Sequence, residues 1–341
     1  MYRRLLFPLL TLLEPEISHE LALTFLRLVR LPGLGAKDPR LETEAFGLRF
    51  ANPIGLAAGF DKNGVAARGV AALGFGHVEV GTITPRPQPG KPKPRLFRLK
   101  ADRALINRLG FPSQGMDAVA ANLRKLNERR FVLGANVGPN ADSVGVEDFR
   151  KAAKAVAPYV DYLTVNVSSP NTAGLRDMQA AGTLESLLRS VTEATSLPVL
   201  VKIAPDLSEG ELAGMLAVIQ AQRVAGIVAT NTTVKRPASL KGSQAGEAGG
   251  LSGEPLRQRS TEVVRAIYRQ TEGALPIVAA GGVATWQDVI EKLQAGASLV
   301  QLYTGFVYEG PLVARSINQG LLRWMDQTGV RSLAEVTGQK A

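Results

Sequence analysis

The sequence predicts one large α/β domain, a (β/α)8 barrel, carrying a small helical extension at its N-terminus. Three observations carry this. From residue 51 onward a short buried-strand run, a turn and a helical stretch recur, and the unit occurs eight times. A doubly wound dinucleotide fold would use fewer units, and its G-x-G-x-x-G after the first strand is missing. Most connections are short, as a closed barrel needs, so the few long ones stand out.

Taken in order, the chain opens with an apolar run at residues 5–13, stopped by Glu14 and Glu16. Arg3 and Arg4 ahead of it imitate a secretory signal, but no small-x-small cleavage site follows, and no stretch reaches the ~20 apolar residues that cross a bilayer. The pattern predicts two short helices, broken at Pro15 and ended by Pro32-Gly33. On the second, Ile17, Leu21, Phe25 and Leu28 form one apolar row, while His19, Leu23 and Leu26 form another. Such a helix is either buried twice or buried once and in contact with lipid, and both readings fit. The extension is assigned to residues 1–35 and the barrel to 45–330. Strands are expected at 53–58, 77–83, 131–137, 162–168, 199–204, 226–231, 277–282 and 299–304. Helices are expected at 64–73, 114–130, 146–156, 184–195, 208–222, 256–269 and 286–294. The long connections are 84–130 with its helix, 169–182 and 232–255. The last is rich in Gly, Ser and Lys, lacks apolar periodicity, and reads as a lid.

Composition removes whole classes of chemistry. The 341 residues include no cysteine, which excludes disulfides, thiolate metal sites, iron–sulfur clusters and a cysteine base. His19 and His77 are the only histidines and have no metal-binding spacing, so no metal is expected. The balance of 40 Lys and Arg against 30 Asp and Glu gives a net charge of +10. Residues 84–108 hold eight basic side chains and one acid, Asp102, and so account for seven of those ten charges. Phe97 is the only aromatic there, so no stacking platform for nucleic acid is visible. Pro85, Pro87, Pro89, Pro92 and Pro94 suggest a stiff extended loop, either solvated or touching an anionic lipid or ligand.

Barrel chemistry sits on loops at the carboxyl ends of the strands. The first strand ends in small residues, Ala57-Ala58-Gly59, followed by Phe60-Asp61-Lys62, which lets a flat ligand approach the backbone and puts Lys62 at the mouth. Lys202 stands within the otherwise apolar fifth strand, where its ammonium needs a partner or titrates down; a charge-stabilising lysine and a Schiff-base lysine both fit. Asn107, Asn136, Asn166, Asn171 and Asn231 fall at strand ends or in the long loops. Amides gathered on one face suit a neutral, planar, hydrogen-bonding substrate. The last two strands finish in Gly281-Gly282 and Tyr303-Thr304-Gly305, the usual phosphate position of such barrels, and Gly249-Gly250-Leu251-Ser252-Gly253 adds a third glycine cluster.

These strings, with Glu14-Pro15-Glu16 and His19, the run 81–90 and the run 107–111, resemble in this order the dihydroorotate dehydrogenases of pyrimidine synthesis, in particular the membrane-associated, quinone-dependent class (class 2). The resemblance extends to about residue 325. It implies FMN across the barrel mouth, one per chain, with its phosphate on Gly253, Gly282, Tyr303 and Thr304. Ala58, Gly59, Phe60, Asp61, Lys62, Thr82, Asn136, Asn166, Lys202 and Thr230 would complete the cofactor site, with Lys202 stabilising the reduced flavin. It implies dihydroorotate held by Lys62, Asn107, Arg108, Leu109, Gly110, Phe111, Asn166, Asn171, Asn231 and Thr232. Hydride would pass from substrate C6 to flavin N5 while a base removes the C5 proton.

The soluble class of this family uses a cysteine base, absent here; the quinone class uses a serine, matched by Ser169. A hydroxyl is a poor base at neutral pH, so a water-free site and a proton path are expected, bordered by Thr172 and Phe111. The two N-terminal helices would form the quinone's passage from the membrane, with His19 and Arg98 at the quinone pocket and Tyr303 close by. The resemblance further implies orotate as product, a monomer without nucleic-acid partner, and a peripheral protein on the cytoplasmic face of a bacterial inner membrane, since the chain starts directly at the helices. Another FMN barrel oxidoreductase, a Schiff-base aldolase using Lys202, and a basic membrane- or RNA-binding module are the rival readings.

Overall fold

Thirteen strands and eleven α-helices follow one another along the described residues 2–29, 33–126 and 128–341 of the structure, a computed structural model. The strands are β1 (Thr43–Ala45), β2 (Leu48–Phe50), β3 (Ile54–Leu56), β4 (His77–Ile83), β5 (Leu96–Leu99), β6 (Ala104–Asn107), β7 (Val132–Val137), β8 (Tyr162–Asn166), β9 (Val199–Ile203), β10 (Gly226–Ala229), β11 (Gly250–Gly253), β12 (Ile277–Ala280) and β13 (Leu299–Leu302). The helices are α1 (Phe7–Leu10), α2 (Pro15–Leu28), α3 (Ala67–Ala72), α4 (Met116–Arg124), α5 (Val146–Val156), α6 (Ala181–Thr192), α7 (Glu209–Ala221), α8 (Arg257–Gln270), α9 (Trp286–Gln294), α10 (Thr304–Glu309) and α11 (Val313–Thr328).

Strands β3, β4, β7, β8, β9, β10, β12 and β13 pair in parallel and close into a barrel. The predicted (β/α)8 architecture is therefore the one observed. Most of the strands end sooner than expected, by two residues at β3, β8, β10, β12 and β13 and by one at β9. The residues beyond leave the ladder for turns at the mouth, although they keep the apolar or small character of the strand. All barrel strands are buried on both faces except at the first residue of β7, as a strand lined by helices outside and by core within must be.

The inward residues change character along the barrel axis. At the amino ends of the strands they are largely apolar, with Tyr162, Leu200, Val228, Val278 and Leu299 in one cluster. The β1–β2 hairpin plugs that end: Phe50 is buried and meets His77 edge-on at 5.3 Å. One layer higher come Glu79, Thr164, Lys202 and Gln301, and above them Thr82 and Asn166 at the mouth.

Over the mouth lies a three-stranded antiparallel sheet, β11-β6-β5, which periodicity does not reveal. The connection read as a lid thus ends in a strand, and Arg236 staples the rest of it by donating to the carbonyls of Ala245, Glu247 and Gly249. The basic loop is not simply solvated. Arg95 is buried, forks onto the Glu16 carboxylate at 2.9–3.1 Å, and donates to the carbonyls of Pro89 and Lys91. Arg103 pairs with Glu309, and Arg108 with Glu247 at 2.6 Å.

Pro15 opens α2 rather than merely interrupting a helix. Its missing N–H costs nothing at that position, and the Glu14 carboxylate caps the free N–H groups of Glu16 and Ile17 at 3.0 and 3.1 Å. The expected stop at Pro32 lies outside the described residues. Leu26 packs against α3 so closely that a Cβ on Gly69 would meet the Leu26 carbonyl at 2.1 Å. The second predicted row, Ile17, Leu21, Phe25 and Leu28, faces outward, with Leu28 71% exposed. Leu5, Leu9 and Leu12 of the first turns continue this apolar surface. No described helix is long and apolar enough to cross a membrane.

Candidate active site

The carboxyl ends of the barrel strands surround one cleft. Ala58 and Gly59 line it after β3, Thr82 in β4, Asn166 at the end of β8, Lys202 in β9 and Thr230 after β10. Lys62, Asn107, Leu109, Gly110, Phe111, Ser169, Asn171, Asn231 and Thr232 line its outer part, and Gly253, Gly282, Tyr303 and Thr304 its far end. Most of the residues named from the sequence are thus brought together by the fold.

The others have different placements. Asn136 lies just beneath the cleft, where its carboxamide oxygen accepts from Thr82 Oγ1 at 2.7 Å and from Asn166 Nδ2 at 3.0 Å. The Asp61 carboxylate accepts the N–H groups of Val65 and Ala66 at 2.9 and 2.7 Å, so it builds the turn after β3 rather than facing the cleft. Phe60 turns away towards α2, edge-on to His19 at 4.7 Å. Arg108 reaches Glu247 and lies 4.6 Å over the Phe97 ring. Thr172 is buried, and its hydroxyl has no hydrogen-bond partner among the described residues.

The amides form two hydrogen-bonded groups, one around Asn166 and one joining Asn171 to Asn107. Asn231 Nδ2 donates to Ser168 Oγ at 2.9 Å, Ser168 Oγ to Asn166 Oδ1 at 3.2 Å, and Asn171 Nδ2 to the Asn107 carbonyl at 3.1 Å. Ser169 is buried, its oxygen accepting only the Asn171 N–H, at 3.3 Å, in this network. Phe111, at φ +53°, holds a left-handed conformation that a bulky residue adopts only under constraint, and its ring closes the cleft beside Thr82.

Two groups escape the sequence reading. Glu79, buried below the cleft, accepts from Asn136 and Gln301 at 2.9 Å, Thr164 at 3.1 Å and Tyr162 at 3.2 Å. A charge inside the apolar strand β4 is the same signal that singled out Lys202. Arg176 donates to the carbonyls of Ser168 and Thr232 at 3.2 Å and pairs with Asp206 at 2.9 Å, which clips together the loops after β8, β9 and β10. No local pattern announces it, because its partners lie up to 56 residues away.

Electrostatics follow burial. Desolvation lowers the Lys62 ammonium to about 8, against the attraction of Glu16. Lys202 is likewise lowered by burial, with the Glu79 charge opposing. His19 falls to about 3 through burial and the neighbouring Lys62 charge, so its imidazole is neutral, and its Nε2 has no hydrogen-bond partner among the described residues. A second, apolar passage runs from α1 and α2 past His19 and Arg98. Arg98 is fixed there by the Leu13 carbonyl at 2.8 Å and Ser18 Oγ at 2.9 Å. Leu96, Leu105 and Tyr303 line both compartments.

The family model described as dihydroorotate dehydrogenase matches residues 40–325. The chain belongs to the dihydroorotate dehydrogenase family. Relatives named dihydroorotate dehydrogenase (quinone) include that of Thermus thermophilus, 50% identical over 95% of this chain and 97% of that protein. The relative from Thermosynechococcus vestitus is 48% identical over 96% of this chain and 97% of its own. A crystal structure of the Eimeria tenella dihydroorotate dehydrogenase in complex with ferulenol superposes with a TM-score of 0.92 at 40% identity, covering 95% of each chain. The aldolase reading of Lys202 falls with this membership.

Dihydroorotate dehydrogenases are flavin-dependent, and the cleft fits a flavin on its own geometry. The Thr230 hydroxyl is buried with no protein partner among the described residues, and the Lys202 ammonium has no carboxylate within ion-pair reach there. At the far end the cleft is walled by Gly253 and Gly282, both at positive φ (+99° and +75°), and by Tyr303 and Thr304.

Proposed function

We propose that this chain oxidises dihydroorotate to orotate in pyrimidine synthesis and passes the electrons to a membrane quinone, through one FMN held across the barrel mouth. The observation that carries this reading is the shared wall. A polar, amide-lined cleft and an apolar passage open on opposite sides of Leu96, Leu105 and Tyr303, which suits one flavin serving a polar donor and an apolar acceptor.

The residues act as follows. Lys62 meets the substrate carboxylate, and Asn107, Asn171, Asn231, Thr232 and Asn166 satisfy its ring donors and acceptors. Hydrogen bonds hold the asparagine side chains in place before substrate arrives, so little of their ordering is left to binding. Ser169 Oγ takes the C5 proton. Burial excludes water from this step, and the Thr172 hydroxyl, without a partner among the described residues, gives the proton its next acceptor. Bound across the mouth, the flavin supplies the hydride acceptor and the store of two electrons for the quinone. Lys202, whose charged form the buried Glu79 favours, would place positive charge where the reduced cofactor is negative. Gly253, Gly282, Tyr303 and Thr304 hold the phosphate.

The chain works as a monomer with two parts, the extension at 1–35 and the barrel at 45–330. Its outward row on α2 lies in the lipid interface, and Arg3, Arg4 and Arg27 beside it suit the anionic cytoplasmic leaflet of the cell membrane. Quinone then reaches His19 and Arg98 from the lipid side. Steady-state assays test this: dihydroorotate oxidation should proceed with a ubiquinone analogue and not with fumarate or NAD+. Equal rates with NAD+ would point to a different member of the flavin barrels.

A further inference from the structure

Among the described residues, Lys292 on α9 is the most deeply buried cation with no part in the chemistry above; its exposure is 0%. Its three N–H donors are all used, on the Arg257 carbonyl at 2.9 Å, Ser260 Oγ at 2.9 Å and Thr261 Oγ1 at 2.7 Å. No carboxylate lies within ion-pair distance of it among the described residues, and its nearest acid link runs through Thr261, whose hydroxyl also reaches Glu291 at 2.9 Å. An apolar side chain would join α8 to α9 at less desolvation cost. The ammonium does something an apolar residue cannot.

What it grips is the back of the proposed phosphate cradle. Ser260 Oγ donates in turn to the Ala280 carbonyl at 2.8 Å, the last residue of β12 before Gly281-Gly282. The Arg257 backbone lies against Gly282 so closely that a Cβ there would sit 2.4 Å from Arg257 Cα. Gly281 likewise abuts Ser260, with 3.0 Å to its side chain from a built Cβ. Arg257 follows directly on the short turn Glu254–Leu256 that leaves Gly253. One ammonium therefore ties together the segments after β11 and after β12, both of which contribute a cradle glycine. Burial lowers this ammonium to about 7 against the attraction of Glu291 and Asp288, so below that pH a positive charge stands behind the cradle with no acid in direct contact.

We propose that Lys292 is a positioning residue for the cofactor phosphate: it fixes the Gly253 and Gly282 turns and supplies positive potential behind them. This rests on the assignment of the phosphate to that end of the cleft. The test compares FMN with riboflavin, which differ only in the phosphate, by quenching of flavin fluorescence on the flavin-stripped full chain. The wild-type chain should bind FMN at least tenfold more tightly than riboflavin; equal affinities would overturn the phosphate assignment itself. In Lys292→Met, FMN affinity should fall at least tenfold while riboflavin stays within about twofold. Given the wild-type preference, an unchanged FMN affinity, or equal loss for both ligands, would overturn the positioning role and leave Lys292 as a helix brace. Should Lys292→Met fail to fold, Ser260→Ala decides. It cuts the link to Ala280 and keeps the charge, so FMN should weaken severalfold and riboflavin should not. Parallel loss or no loss in that variant would equally contradict the proposal.

Discussion

In the proposed reaction Ser169 has the hardest task of any side chain, since an ordinary hydroxyl is almost never ionised near neutral pH. Its surroundings suit that role: it is buried and accepts the Asn171 N–H, and the Thr172 hydroxyl, three residues on, has no partner among the described residues. Ser169→Ala should keep the flavin and slow its reduction by dihydroorotate about 10²-fold or more, measured by anaerobic stopped flow. A rate within a few-fold of wild type would remove Ser169 from the role of base. Lys62 gives a pH signature. With its ammonium lowered to about 8 by burial, substrate carboxylate binding should hold below that pH and weaken as pH rises through it. Dihydroorotate or orotate binding measured from pH 6 to 10 checks this, and a flat profile would place the carboxylate elsewhere. At this scale the sequence was informative where a residue broke its local pattern. Lys202 in an apolar strand was visible, and Glu79 carries the same mark. Arg95, Arg176 and Lys292 were not, because each is defined by carbonyls or carboxylates that only the folded chain brings near.

Among the elements, α2 has two different faces. The row with Leu26 packs on α3 and the row with Phe25 stays outside, which settles the choice that periodicity left open between double burial and one free face. Leu21→Glu with Phe25→Glu should cut binding to anionic vesicles severalfold without lowering the melting temperature, since both positions are more than half exposed. Unchanged vesicle binding would argue against a lipid-facing role. Deleting residues 2–33 should leave flavin reduction by dihydroorotate largely intact while impairing turnover with a long-chain quinone. Equal loss of both half-reactions would make the helices structural only. The eight barrel strands were legible because each is a short apolar run bounded by turns. The sheet β11-β6-β5 was not. The Gly-Leu-Ser-Gly segment of β11 has no alternation to read, and its partner strand lies about 140 residues earlier in the chain.

For the molecule as a whole, the barrel interior runs from a largely apolar floor to a charged middle and an amide-rich mouth, so core and site share the same strands. That arrangement has a cost in acid. His77 is buried on the floor with both ring nitrogens unpartnered among the described residues, and burial lowers it to about 3. The unfolded chain takes up that proton near 6.5 and the folded chain does not, so stability should decline as pH falls from 6.5 towards 3. By linkage the loss is about 3 kcal/mol at pH 4 for this one ring. Urea unfolding of wild type and a His77 variant across that range checks the slope, which should flatten in the variant.

In the proposed reaction dihydroorotate reduces the flavin from the polar cleft, and quinone reoxidises it from the apolar passage behind Tyr303. The direct measurement is the visible spectrum of the purified full chain under anaerobic conditions. Addition of dihydroorotate should bleach the flavin band, and subsequent addition of a ubiquinone analogue should restore it. A protein that shows no flavin band, or whose band survives dihydroorotate unchanged, would contradict the account.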